Sequence, residues 1–206
     1  MKRRTQILWN KQDRHKGDRW RLFQAVSAAV PARKVLYPGS YVDIAPSFVY
    51  GDVTYADMDT RAEAFFADDE GVAQIICDHS GNMNGRVSFV SGDYRSLALQ
   101  EQSFDLLISL YAGFISETCG HLLRIGGVLL ANSSHGDAAL AGLDPRFELA
   151  AVVTAAGDHY RISDKELDAY MVPKKPQSIT VGNIKASGRG IAYTRSPFAY
   201  LFKRIS

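Results

Sequence analysis

The chain has 206 residues, 46% hydrophobic and 22% charged, with a formal net charge of +2. A chain of this length buries roughly 70% of the surface its unfolded form exposes, so it can build a full core without staples. Composition therefore excludes a collagen, a coiled coil, a disulfide-stapled mini-domain and a disordered tail. No run approaches the ~18 apolar residues of a membrane span, and the opening MKRRTQILWN lacks the apolar stretch of a secretory signal. Cys77 and Cys119 form no CxxC pair, which implies a reduced, cytoplasmic setting.

In chain order, a first helix is expected from an Asp18 N-cap, with Trp20, Phe23, Val26 and Val30 on one face and Pro31 as its stop. Lys34–Tyr37 reads as a strand ending at Pro38-Gly39, and Val53–Ala56 as a second strand ending in Asp57-Met58-Asp59. Thr60-x-x-Glu63 predicts a capping box opening the next helix, which carries Phe65 and Phe66. A third strand is expected over Arg86–Val90, running into Ser91-Gly92-Asp93. Phe104–Leu110 is a continuous apolar run suited to a strand buried on both faces.

Ile115, Cys119, Leu122 and Leu123 give the following helix its apolar stripe, and Gly126-Gly127 is read as its C-terminal stop. Val128–Ala131 is a fifth strand, Phe147–Thr154 a sixth and Phe198–Ile205 the last, with a polar segment over Pro173–Pro197 between them. Long loops of this kind usually carry function. This alternation of strands and helices predicts an α/β domain with a seven-stranded, mainly parallel sheet, helices on both faces and an antiparallel last strand. One domain is expected over 1–206, with a helical extension over 1–30 and the long loop at 173–197.

Several strings in this order resemble the class I S-adenosylmethionine-dependent methyltransferases, a Rossmann-like family. They are Ser103-Phe-Asp-Leu-Leu-Ile-Ser109, then Leu122-Leu-Arg-Ile-Gly-Gly-Val-Leu-Leu130, then Ala199-Tyr-Leu-Phe-Lys-Arg-Ile205. The resemblance covers roughly 18–206 and implies S-adenosylmethionine as cofactor. It implies that the turn at Gly39-Ser40 passes under the methionine part and that Asp57 accepts the ribose hydroxyls. It further implies that Met58 covers the adenine, and that Asp93 and the Tyr94 N–H meet its amino edge. The glycine-rich motif is degenerate: Tyr41 and Asp43 stand where further glycines are usual, and Tyr37 replaces a frequent acid.

Independently of the family, ligands in open α/β sheets sit beyond the carboxyl ends of the strands, where the strand order switches. Gly39, Asp57, Asp93, Ser109 and Asn132 all fall at such ends. A dinucleotide site would require G-x-G-x-x-G after the first strand, and Gly39-Ser-Tyr-Val-Asp43 does not supply it. Five histidines share no metal-ligand spacing, so no metal is expected. Ser109-Leu-Tyr-Ala-Gly113 lacks the string of base-amino methyltransferases, which leaves a small or medium-sized acceptor. Tyr111 is a candidate for the acceptor pocket and His135 a candidate general base.

The near-neutral total hides an asymmetry. Residues 1–21 hold eight Lys/Arg against two Asp, residues 173–206 hold seven Lys/Arg and no acid, and the middle is acidic. Two further readings therefore stay open beside the enzyme. One is a methyltransferase-fold binding module without catalysis. The other is an RNA-binding or RNA-modifying protein using Lys174, Lys175, Lys185 and Arg189.

Overall fold

The computed structural model describes residues 1–80, 85–175 and 179–206. Helices α1 (Arg3–Gln12) and α2 (Asp18–Ala29) precede strand β1 (Val35–Pro38). Then follow β2 (Asp52–Asp57), α3 (Thr60–Phe66), α4 (Asp69–Ser80), β3 (Arg86–Ser91) and β4 (Phe104–Ser109). The second half contains α5 (Ile115–Cys119), β5 (Leu123–Ala131), α6 (Asp137–Leu143), β6 (Phe147–Ala156) and β7 (His159–Ser163). Helix α7 (Val181–Ser187) and strand β8 (Ala199–Arg204) complete it. Among the described residues no helix is long and apolar enough to cross a membrane.

All strands join one sheet in the order β3-β2-β1-β4-β5-β8-β6-β7. The run from β3 to β5 is parallel, and β8 lies antiparallel between β5 and β6. The sheet is the expected mainly parallel one, with one strand more than the expected seven. The addition is β7, a hairpin partner of β6 across Gly157-Asp158. Gly157 has φ 64°, a turn conformation that glycine adopts without strain.

Strict alternation along the central strands feeds two cores. Val35, Tyr37, Leu106 and Ile108 face one layer, built with α2, α3 and α4. Leu36 and Leu107 face the other, built with α5, α6 and α7. That alternation is why the strands read as unbroken apolar runs. Helix α2 buries Leu22, Phe23 and Val26 completely, each contributing about 1.5–3 kcal/mol. Cys119 is a core group on α5, and burial pushes its thiol up to about 11.

Local structure differs from expectation in four places. Gly17, in the left-handed region, is the N-cap of α2, with Asp18 in the first turn. Asp59 caps α3 by accepting the Arg61 N–H at 2.8 Å, so the cap falls one residue before Thr60, and Ala62 stands where a capping box would need an acid. Gly126-Gly127 does not stop a helix. It lies inside β5, where the pairing with β4 jumps from Phe104↔Leu123 to Leu106↔Val128. The glycines fit that bulge because Gly126 has φ 79° and a Cβ at Gly127 would stand 2.9 Å from the Arg124 carbonyl. The polar segment after Pro173 is likewise not all loop, since it contains α7; its residues 176–178 lie outside those described.

Candidate functional site

The strand order reverses between β1 and β4, and the candidate residues converge beyond the carboxyl ends there. Gly39 follows β1 with φ 66° and donates its N–H to the Ala56 carbonyl at 2.8 Å. A Cβ at this position would lie 2.6 Å from Ala112 Cβ, so glycine lets the turns after β1 and β4 touch. Ser40 is buried, and its hydroxyl has no hydrogen-bond partner among the described residues. A buried hydroxyl left unpaired costs about 1–3 kcal/mol, so Ser40 Oγ has hydrogen-bonding capacity to offer a polar group at this turn.

Tyr41, with φ 50°, donates its N–H to Asp57 Oδ2 at 2.7 Å. The Asp59 N–H donates to the other oxygen, Oδ1, at 2.8 Å. Asp57 therefore ties the turn after β1 to the end of β2. An ionised carboxylate has about four acceptor positions, so two remain. Met58 beside it is 66% exposed. Met58 lines a groove of about 320 Å³ together with Asp93, Tyr94, Gly113 and Phe114. Asp93 caps the short turn that follows it and is gripped by the Arg95 guanidinium, which holds its carboxyl below the usual range.

Asp43 explains the departure from the glycine pattern. It is completely buried, and the Tyr37 hydroxyl donates to it at 3.3 Å. Arg19 Nε from α2 stands 3.5 Å away. Burial raises the Asp43 carboxyl, and Arg19, the Ala45 N–H and Tyr37 only partly offset it. The Arg19 guanidinium continues over the ring of Tyr111, at 4.8 Å from its centroid. Tyr111 is half exposed, with φ 60°, and donates its N–H to Asn132 Oδ1 at 3.3 Å. So the N-terminal extension is anchored directly over the turns after β1 and β4.

His135 sits in the turn after β5 and is exposed. Its tautomer follows from its neighbours. Asn132 Oδ1 accepts the Ser134 hydroxyl at 2.9 Å, and Ser134 Oγ lies 2.9 Å from His135 Nδ1. Ser134 has one proton and gives it to Asn132, so its oxygen accepts from Nδ1, which in a neutral ring leaves Nε2 as the acceptor. The stretch after α7 packs onto this turn. A Cβ at Gly190 would lie 1.8 Å from the Ser133 carbonyl oxygen, and one at Gly136 would lie 2.9 Å from that of Arg189. Lys185 of α7 also pairs with Glu117 of α5.

One position that shapes the floor of the site carries no distinctive signal in the sequence. Asp137, completely buried, accepts from Ser109 Oγ and Ser116 Oγ at 2.5 Å each, and from the Ser116 N–H at 3.1 Å. Burial raises its carboxyl while these bonds oppose the rise. Ser109 is thus committed to Asp137 and holds the end of β4 to the starts of α5 and α6. The Gly-Asp pair opening α6 was its only signal, and that pair reads equally as a solvent-facing helix start.

No protein-family model matches the sequence, and no curated protein is similar to it in sequence. Solved structures do match. A candidate S-adenosyl-L-methionine-dependent methyltransferase from Methanococcus maripaludis is 12% identical with a TM-score of 0.53, covering 98% of this chain and 92% of that one. A candidate O-methyltransferase from Klebsiella pneumoniae is 14% identical with a TM-score of 0.50, covering 79% of this chain and 88% of that one. At such identities the likeness speaks for architecture. The chain has the class I methyltransferase fold.

Proposed function

We propose that this chain is a cytoplasmic, single-unit S-adenosylmethionine-dependent methyltransferase acting on a small or medium-sized acceptor. The observation that carries the reading is the unpartnered, buried Ser40 hydroxyl beside Gly39, at the strand-order switch and next to a carboxylate with acceptor positions to spare. The residues fit the cofactor. Gly39 and Ser40 would hold its methionine end, Asp57 its ribose hydroxyls, and Met58, Asp93 and Tyr94 its adenine. Ser109 supports that site from the end of β4 through Asp137.

When bound, the cofactor supplies a methyl group on a sulfonium, already activated for displacement. The protein's share is then to position the acceptor and exclude water. In this reading Tyr111 forms a wall of the acceptor pocket, and α7 with the stretch after it forms another side. His135 Nε2, the free acceptor nitrogen, takes a proton where the acceptor must lose one.

Calorimetric titration with S-adenosylhomocysteine tests the reading, and absence of binding at millimolar ligand overturns it. Asp57→Ala is expected to weaken that binding by about 1.5–3 kcal/mol, roughly ten- to a hundredfold. Unchanged affinity would remove Asp57 from the site. Binding without methyl transfer to any acceptor would favour the non-catalytic module instead.

A further inference from the structure

A second pocket, of about 580 Å³, opens between the α1–α2 connection and the turns after β1 and β4. Tyr111 lines it and Gly113 lines the groove at Met58, with Ala112 packed on Gly39 between them in the chain. Its walls carry Lys11, Arg14, His15 and Arg19 with the rings of Tyr41 and Tyr111. Two acids, Asp13 and Asp18, also line it, each tied back into the fold. Asp13 accepts the Gly17 N–H at 2.6 Å, and Asp18 accepts the Tyr160 hydroxyl at 2.9 Å.

Arg19 is the decisive residue. Asp43 holds its Nε end, and Tyr111 and Phe198 flank its plane at 4.8 and 6.0 Å. Its Nη1 is buried and has no hydrogen-bond partner among the described residues. A guanidinium is a planar fork whose N–H pairs match the two oxygens of a carboxylate or phosphate. Here Asp43 fixes the Nε side, Tyr111 meets the guanidinium, and Nη1 is left without a partner among the described residues, with Lys11 and Arg14 balancing the charges of Asp13 and Asp18.

We infer that this pocket is the anion-binding part of the acceptor site, sharing the wall at Tyr111 with the side formed by α7, and that it selects an acceptor bearing a carboxylate or phosphate group, which Arg19 Nη1 binds. The aromatic walls at Tyr41 and Tyr111 flank the body of such a molecule. Asp43, which breaks the glycine pattern, is then a positioning residue: it aims the guanidinium. The assignment to the acceptor rests on the proposed methyl-transfer function, whereas the anion pocket itself does not.

The test uses the full chain with benzoate and inorganic phosphate as probes, with and without saturating S-adenosylhomocysteine. At least one probe should bind saturably and shift the ring resonances of Tyr41 and Tyr111 in the unaltered protein; no shift with either overturns the inference. Removing Arg19 alone would strand a buried Asp43 charge, so the variant is Arg19→Gln combined with Asp43→Asn. It should lose about tenfold or more in probe affinity, while S-adenosylhomocysteine affinity stays within about twofold.

Unchanged probe affinity in that variant overturns the inference and leaves the cofactor reading standing. A loss confined to S-adenosylhomocysteine, not shared by 5′-methylthioadenosine, which lacks the amino-acid carboxylate, assigns Arg19 to the cofactor and also overturns it. Arg19-dependent probe binding with no S-adenosylhomocysteine binding keeps the anion pocket and overturns the cofactor reading.

Discussion

Replacing Asp137 with alanine is expected to lower the free energy of unfolding by about 3–5 kcal/mol, since three buried donors lose their acceptor at about 1–3 kcal/mol each. The carboxylate accepts from Ser109, from the Ser116 hydroxyl and from the Ser116 N–H. Its loss leaves three donors in the core with nothing to accept them. The bonds tie together three pieces of the site's floor: the end of β4 through Ser109, the first turn of α5 through Ser116, and the start of α6 through Asp137 itself. Urea unfolding followed by circular dichroism reads the effect. Asp137→Asn keeps one acceptor oxygen and should cost less than the alanine variant. A loss below about 1 kcal/mol for alanine would mean that the network relaxes or hydrates without penalty.

Gly190→Ala should have the next largest effect, about 2–4 kcal/mol, as an overpacking change against backbone rather than side chain. The new methyl would stand 1.8 Å from the Ser133 carbonyl oxygen. Nothing flexible lies in between, so the stretch after α7 must lift off the turn carrying His135. Limited proteolysis should then cut near residues 181–190 faster, with thermal unfolding at a lower temperature. Gly182→Ala is the matched control. Its Cβ would meet nothing closer than Thr180 Oγ1 at 4.0 Å, and it lies within α7. There the exchange should be neutral or stabilising by about 0.5–1 kcal/mol, since alanine loses less freedom in a helix.

The sheet was legible because its central strands are buried on both faces. Phe104–Ser109 and Val53–Ala56 need only be apolar, and they are. Strand β7 escaped notice for the opposite reason. It is an edge strand whose His159 and Arg161 face water, so its apolar residues, Tyr160 and Ile162, make too short a pattern. The glycine pair in β5 misled because a helix end and a strand bulge demand the same φ, and only the pairing with β4 tells them apart.

At the site, Gly39 and Asp57 were readable from their places at strand ends. Asp43 was readable only as a broken motif. Its meaning depends on Arg19, which lies in a helix on the other side of β1, and no local spacing connects the two. Asp137 failed for a related reason: its partners at Ser109 and Ser116 come from a neighbouring strand and helix.

The position of β8 also dictates an order of assembly. The strand nearest the C-terminus of this sequence is not at a margin; it is wedged between β5 and β6, which precede it by many residues. Until it enters, the parallel half and the β6–β7 hairpin share no ladder. Helix α2 spans that division, with Phe23 on the β1 side and Tyr160 of β7 bonded to Asp18. Docking of α2 over the cleft must therefore follow the closure of contacts far apart in sequence, the slow kind. Pulsed hydrogen exchange during refolding should protect the amides of β8 and β6 together, after those of β1 and β4. The part of the molecule that shapes the pocket over Tyr111 would then be the last to become native.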